Sequence, residues 1–424
     1  MIKLPKDINK MIHEIEKAGF EAYIVGGSLR DGLLGQTPKD WDIATNAPAE
    51  QLKQLFPDAE VISEKCSVFS VTMGELEAQV APFRIDGQYS DYRRPDDVIF
   101  TDKAGEDLKR RDFTINAMMA SPQRGIIDPF GGRQDLKARQ IKTVGEPGKR
   151  FTEDPYRILR GIRFAAQLDF DIESATLQGM KDKVHLLAHI SVDRIRDEFI
   201  KIITAKNSKK GLSLLIATGA LPYILGEECV TGASKAERSD FTILTENIDR
   251  SKTDKEYRLG LIFICFKTEK AMRAIQKLHF DSDLEHKLQA AVLFLEELSF
   301  INHRVDLKQF IYKVGYETYQ YLENLAKQQR KVYDFTEYKI RNRMTIFKDI
   351  EKNQEPIFLE DLAVSGHDLM ELGLKGQEIG KMLGMLLDVV HKSPRENTKE
   401  ALMKKAMGFQ KNPIKALLRK VRWY

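Results

Sequence analysis

Several features common in other protein classes are scarce in this chain. Its three cysteines, Cys66, Cys229 and Cys265, lie far apart, and there is no CxxC or HExxH pattern. A disulfide framework and a cysteine zinc site are therefore not expected, and the thiols suit a reducing cytoplasm. No uninterrupted apolar run is longer than that of residues 261–266, against the roughly 18 residues a membrane span needs. The opening stretch MIKLPKDINKMIHEIEKAGF is charged and amphipathic without an apolar signal core, so an unprocessed cytoplasmic start is expected. Turn formers thin out in the second half. No proline stands between Pro222 and Pro356, and Gly260 and Gly315 are the only glycines between residues 233 and 365. From Lys404 to Tyr424 there are seven Lys or Arg and no acid.

What is present fits an ordinary globular protein. The chain has 424 residues, 42% apolar and 31% charged, enough for about three domains and too apolar to be largely disordered. Its net charge of +4 says little about partners. The first 161 residues hold 14 of the 27 glycines. Short β-type runs recur there (EAYIVGG, WDIAT, SVFSVTM, AQVAPF, DVIF, TINAMMA), with helical stretches near 6–18, 48–55 and 104–110. The second half places apolar residues at i, i+3 and i+4, which predicts helices throughout. The expected class is α+β, a mixed α/β head followed by an all-α remainder.

Four stretches carry candidate chemistry. In EAYIVGGSLRDGLLG a strand is expected to end at Val25, Gly26 and Gly27 to turn the backbone, and a helix to begin near Ser28. Helix N–H groups with Arg30 would seat a phosphate chain, although such a turn also occurs with no ligand. In KDWDIAT, Asp40 and Asp42 are two apart in a strand-like run, so both carboxylates would leave one face roughly 6–7 Å apart. Such a pair repels itself unless a cation lies between, and Mg²⁺ held there can bind a triphosphate. The alternative is a solvated edge strand. EDLKRRDFTINA gathers Arg110, Arg111 and Asp112 at a helix end. Arg111 could clamp a nucleotide and Asp112 accept from a ribose hydroxyl, or the two could be a surface ion pair. Asn116 follows in a strand-like run. In FTEDPYRILRGIRFAAQ, Asp154, Arg157, Arg160 and Arg163 step by three along one helix, with Glu153 able to pair with Arg157. A carboxylate acceptor beside a guanidinium donor can meet the edge of a base much as a partner base does.

In this order the stretches resemble the class II tRNA nucleotidyltransferases, the bacterial CCA-adding enzymes and their poly(A) polymerase relatives in the polymerase-beta-like superfamily. The matching segments are GGSLRD, DWDIAT, RRDFTINA, IIDPFGGRQDLKARQIKTVG, EDPYRILRGIRFA and ISVDRIRDE, covering about residues 20–200, with VSGHDLMELGLKGQEIGKML continuing the likeness. The resemblance implies a catalytic head at 1–138, a base-recognising neck at 139–205, a body at 206–310 and a tRNA-binding tail at 311–424. It implies Asp40 and Asp42 as catalytic metal ligands for Mg²⁺. Gly27, Arg30, Arg111 and Asp112 would then contact nucleotide in the head, and Asp154, Arg157, Arg160 and Arg163 in the neck. Asp193 and Arg196 would support the neck. The implied partners are tRNA, CTP and ATP with no membrane, and a homodimer is one admissible assembly.

The reaction implied is untemplated addition of CMP, CMP and AMP to the tRNA 3′ end. Two departures leave room for a member adding only A or only the two Cs: EKCSVFSVTMG where relatives commonly turn at Gly–Thr, and QVAPFR where they often read Glu–Val–Thr–Thr–Phe–Arg. A poly(A) polymerase usually carries a Gly–Arg–Arg–Phe-like stretch that VISEKCSVFSV lacks. A catalytically silent RNA binder would have no need for both carboxylates. The Asp- and Arg-rich stretch from Arg84 to Val98 reads as a surface loop able to act as a lever through Asp91, Arg93 and Arg94. Replacing Lys415, Arg419, Lys420 and Arg422 together with glutamine should weaken tRNA binding and lower its log–log salt slope by roughly one for each phosphate no longer neutralised. A titration across salt concentrations that leaves the slope unchanged would make this segment a solvated end.

Overall fold

The computed structural model describes residues 4–87, 89, 92, 96–328 and 335–411. Asp91, Arg93 and Arg94, and the four basic tail residues just named, lie outside them. The head contains α1 (Lys6–Lys17), β1 (Ala22–Val25), α2 (Gly26–Leu33), β2 (Trp41–Thr45), α3 (Ala49–Leu55), β3 (Glu60–Ser63), β4 (Val68–Met73), β5 (Leu76–Pro82), β6 (Arg84–Asp86), β7 (Val98–Phe100), α4 (Ala104–Lys109), β8 (Met119–Ser121), β9 (Gly125–Ile127) and α5 (Gly132–Ala138). Among the described residues one mixed sheet runs in the order β3-β4-β5-β2-β1-β8-β9. β2 and β5 are parallel, with Asp42 opposite Gln79, while β1 is antiparallel to both β2 and β8.

Alternation along the strands decides which face meets what. Ile24, Trp41, Ile43, Phe69, Val71, Ala78 and Val80 share one face with Ile8, Met11, Ile12 and Ile15 of α1. Those α1 positions have the spacing of one helical stripe. On the other face Tyr23, Val25 and Ala44 pack with Phe83, Leu108 and Met119. β1 is therefore buried on both sides, and the one polar group on its side chains, the Tyr23 hydroxyl, donates to Glu21. Asp42, between Trp41 and Ile43, must point away from α1.

The segment expected as the neck follows as β10 (Gln140–Ile141), α6 (Pro147–Glu153), α7 (Tyr156–Leu168), β11 (Asp171–Ile172), α8 (Ser174–Lys183), a 3₁₀ turn (Val184–His189) and α9 (Val192–Ile203). A bridge between Phe113 and Thr143 joins it to the head. Among the described residues every element after β11 is helical.

Three sequence expectations change. The helix after β1 begins at Gly26, two residues earlier than Ser28, because Gly26 accepts a φ of +65° and the Ser28 hydroxyl donates to the Val25 carbonyl at 2.7 Å. Asn116 lies in a 3₁₀ turn (Thr114–Asn116), and the strand starts only at Met119. Asp154 is not on the arginine helix. Pro155 disfavours helical geometry in the residue before it, so α6 ends at Glu153 and Asp154 is extended. Its carboxylate accepts the Tyr156 N–H at 3.1 Å, closing the start of α7.

The chain divides into two compact units, Met1–Arg238 with Thr245–Arg258 and Gln276–His279, and Ser239–Leu244 with Leu259–Ile275 and Phe280–Tyr424. In the first, Arg258 is fully buried and donates to the carbonyls of Ile203, Ala205 and Lys252. In the second, a buried Arg343–Glu323 pair at 3.0 Å accompanies a core that includes Leu369, Leu386, Leu402 and Ala406. No described helix is long and apolar enough to cross a membrane.

Gly161 shows how tightly the neck meets the head. A methyl there would overlap the Met180 side chain and stand 2.8 Å from Phe113 Cζ. Gly161→Val should cost about 1–3 kcal/mol through overpacking, read from urea unfolding. An unchanged midpoint would mean that this contact yields easily.

Candidate active site

The GG turn, the Asp pair and the RRD segment converge on one point. A Cβ on Gly26 would lie 3.3 Å from Arg111 Nη1 and 3.6 Å from Asp42 Oδ2. Only a glycine leaves this approach open while holding positive φ. Asp42 is the second residue of β2, and Asp40 stands just before the strand rather than in it. Burial pushes the Asp42 carboxyl above its ordinary range; Arg111 opposes that shift, and the charge of Asp40 adds to it. The two carboxylates are thus close enough to repel each other beside one guanidinium.

Among the described residues no cluster of three or more His, Cys, Asp or Glu could hold a metal. Two carboxylates nevertheless suit Mg²⁺, a hard cation that is commonly held by one or two carboxylates and completed by substrate phosphates and water. The donor set and the mutual repulsion fit such an ion.

Arg111 is aimed by Asp107, a carboxylate only 1% exposed that receives Arg111 Nη2 at 2.9 Å and Arg110 Nη2 at 2.8 Å. Arg30 is buried and committed. It pairs with Asp31 at 2.7 Å, donates to Asn116 Oδ1 at 2.8 Å and lies over the Phe164 ring. Asn116 passes the connection on to Asp112 Oδ1 at 3.1 Å. Asp112 Oδ2 receives Arg160 at 2.6 Å, and the Phe113 N–H donates to Oδ1 at 2.8 Å. The expected ribose acceptor is therefore engaged on both oxygens, because it is buried where head and neck meet. Arg160 answers it from the neck. Arg163 pairs at 2.9 Å with the buried Glu198 of α9 and stacks on Phe164.

Asp154 and Arg157 are brought together, 3.9 Å apart, with side chains 15% and 8% exposed. Burial raises the Asp154 carboxyl, while the charges of Arg157 and Arg194 pull it down. Arg194 lies 3.9 Å over the Tyr156 ring. Arg196 donates to Asp193 at 2.9 Å and to the His279 carbonyl at 2.6 Å. In the loop after β6, Tyr92 stacks on His189 at 4.6 Å. Sequence reasoning passed over Asp107, Phe164, Glu198, Arg150 and Arg194. Asp107 and Arg150 had a legible signal, since each is a charged residue close to the RRD or EDxxR segment.

Family models match at residues 22–142 (poly A polymerase head domain), 169–228 (probable RNA and SrmB-binding site of polymerase A) and 251–406 (tRNA nucleotidyltransferase domain 2, putative). The CCA-adding enzyme of Streptococcus suis is 34% identical over 416 residues, covering 96% of this chain and 98% of that protein. That of Streptococcus uberis is 34% identical over 407 residues, covering 94% and 95%. Among solved structures, the Bacillus stearothermophilus CCA-adding enzyme in complex with CTP aligns with a TM-score of 0.77 at 27% identity, over 96% of this chain and 98% of that one. A Thermotoga maritima CCA-adding enzyme complexed with tRNA shares the fold at 22% identity and a TM-score of 0.67, over 96% of each chain.

The Asp112–Arg160 pair sets a pH test. Burial alone would raise the Asp112 carboxyl, but Arg160, Asn116 and the Phe113 N–H outweigh it and hold the group well below the usual carboxylate range. Its stabilisation is therefore complete above the unfolded pKa of about 3.9 and is lost as pH falls through the lower folded value. Arg160→Met should destabilise the protein at pH 7, and its deficit against the parent should narrow as pH drops below about 4. Urea midpoints with a constant gap down to acid unfolding would refute this.

Proposed function

The chain belongs to the CCA-adding enzymes, nucleotidyltransferases that build their product without a nucleic-acid template, and from that premise we propose that its head and neck transfer CMP, CMP and AMP in turn from CTP and ATP to the 3′ end of tRNA. The observation that carries the reading is the approach of Asp42 and Arg111 to the bare backbone of Gly26.

Asp40 and Asp42 would hold the divalent ion, which we assign as Mg²⁺; when bound it lowers the pKa of the attacking ribose hydroxyl and neutralises charge on the departing pyrophosphate. The remaining work falls to the chain. The N–H groups at the start of α2, beginning at Gly26 and Gly27, donate to the triphosphate, with Arg111 clamping it from the opposite side. Arg30 acts beneath that turn, holding α2 to Asn116. Asp154 and Arg157 form the base edge: the carboxylate accepts from the exocyclic amino group shared by C and A, and the guanidinium donates to the neighbouring ring nitrogen. U and G lack that amino donor at the matching position. Arg160 and Arg163 keep the base site in place through Asp112 and Glu198. The α-phosphorus is attacked by the tRNA 3′-hydroxyl, a P–O bond forms to the RNA, and the bond to pyrophosphate breaks.

We assign residues 1–138 to catalysis, 139–205 to base selection, 206–310 to the body and 311–424 to tRNA binding, in the cytoplasm. A homodimer remains part of the proposal, to be read by analytical ultracentrifugation.

Transfer of labelled CMP and AMP to tRNA lacking its CCA end tests the reading and separates full from partial addition. Asp40→Ala or Asp42→Ala should abolish transfer in Mg²⁺ while tRNA affinity stays nearly unchanged; substantial residual turnover would remove the carboxylates from the mechanism. Asp154→Ala or Arg157→Ala should slow transfer and erode rejection of UTP and GTP by about one to two orders of magnitude, because a mismatched base no longer leaves buried polar groups unpaired. Undiminished rejection would rule out the base-reading pair.

A further inference from the structure

Helix α4 ends at Lys109, so its last carbonyls have no partner within the helix. In this chain the Lys109 carbonyl finds its partner on the neck, as do the carbonyls of Arg110 and Arg111 just beyond the helix. Arg150 of α6 donates through Nη2 to the Lys109 carbonyl and, at 3.1 Å, to the Arg111 carbonyl. Its Nε donates to the Val144 carbonyl at 2.9 Å, and its Nη1 to Glu153 Oε2 at 2.5 Å. Arg157 supplies the middle contact, Nη2 to the Arg110 carbonyl at 3.3 Å, and reaches the same Glu153 oxygen at 3.4 Å. Three successive carbonyls, those of Lys109, Arg110 and Arg111, are thus taken by two guanidinia that share one carboxylate.

Arg111 faces two ways. Its side chain runs to Asp107 and the Gly26 turn, while its carbonyl is held from behind by Arg150. Arg157 likewise joins Asp154 on one side and the Arg110 carbonyl on the other. We infer that Arg150 is a positioning residue that fixes the separation between the triphosphate clamp at Arg111 and the base-reading pair Asp154–Arg157, so that one nucleotide must satisfy both at once. The inference rests on the roles proposed above for those three residues. Arg150 itself touches none of the reacting atoms. A planar fork with five donors can bond two backbone carbonyls, a third and a carboxylate together; a lysine ammonium at the end of a flexible stem cannot hold that pattern.

A residue that only stabilised the fold would weaken every ligand alike. A spacer between two half-sites weakens only ligands that span both. The experiment uses the full-length enzyme carrying Arg150→Met or Arg150→Lys. It compares inhibition by inorganic triphosphate, which fills the phosphate half alone, with KM and kcat for CTP and UTP on tRNA lacking its CCA end. For both variants the triphosphate inhibition constant should stay within about twofold, while KM for CTP rises about tenfold and rejection of UTP falls about tenfold, each corresponding to the removal of one positioning interaction. Lysine should not restore selection. If inhibition by triphosphate weakens in proportion to KM for CTP, or if UTP is rejected as before, Arg150 is a fold support and the inference is overturned. Should both Arg150 variants fail to fold, Glu153→Gln removes the shared carboxylate and is read by the same ratio. Asp154→Ala separates the two levels. Loss of UTP rejection there, with none in the Arg150 and Glu153 variants, overturns only the spacer. Retained rejection in Asp154→Ala overturns the base-site reading and the spacer with it.

Discussion

The buried carboxylate of Asp112 is the point on which the catalytic half of the molecule depends. It is 8% exposed and accepts from Asn116, from the Phe113 N–H and twice from Arg160. Through Asn116 it connects to Arg30 under the glycine turn, and through Arg160 to the long neck helix α7. A charge removed from water at this depth is tolerable only when each lone pair has a donor. The arrangement therefore admits one relation between head and neck, and loosening any member leaves another unsatisfied. Phe164 reinforces it, with Arg30, Arg160 and Arg163 all lying against its ring.

The sheet converts this anchoring into a usable surface. Strands β4, β5 and β2 bury their apolar side chains under α1 and turn the alternate residues the other way, Asp42 among them. The parallel pairing of β2 with β5 sets Gln79 beside Asp42, so the carboxylate stands among polar neighbours on a face that α1 does not cover. Burial still raises the affinity of Asp42 for a proton, and the charge of Asp40 adds to it. A cation between the two carboxylates would relieve both effects at once.

Side chains and backbone are held by different partners here. Arg111 turns its side chain to Asp107 and the Gly26 turn and Arg157 lies beside Asp154, while the carbonyls of Lys109, Arg110 and Arg111 are held by Arg150 and Arg157. Glu153 lies between two guanidinia that would otherwise repel each other, at 2.5 Å from Arg150 and 3.4 Å from Arg157. The break at Asp154–Pro155 is part of this layout. A continuous helix would carry Asp154 around its surface, whereas the extended residue turns its carboxylate onto the N-terminus of α7 beside Arg157.

Sequence alone determined the α+β class and the order of a strand-rich first part and a mostly helical remainder, because these follow from local periodicity; at Gly26 and Pro155 the helix boundaries fell elsewhere than the sequence reading put them. It also singled out Asp42 and Arg111, which the fold brings to the Gly26 turn, and Asp154 and Arg157, which it brings within 3.9 Å of each other. It could not tell which of its charged groups the fold would pair with one another. Arg30 and Asp112 look alike from either side in a linear reading, and only the fold, by bringing Asn116 and Arg160 across 86 and 48 positions, occupied their hydrogen-bonding groups. The same holds for Arg150, three residues from Glu153, two of whose acceptors are the distant Lys109 and Arg111 carbonyls. Periodicity reports on neighbours within a helical turn or a strand pair; partners separated by dozens of residues are chosen by tertiary packing, since only there is the dielectric low enough for an unmet donor to matter.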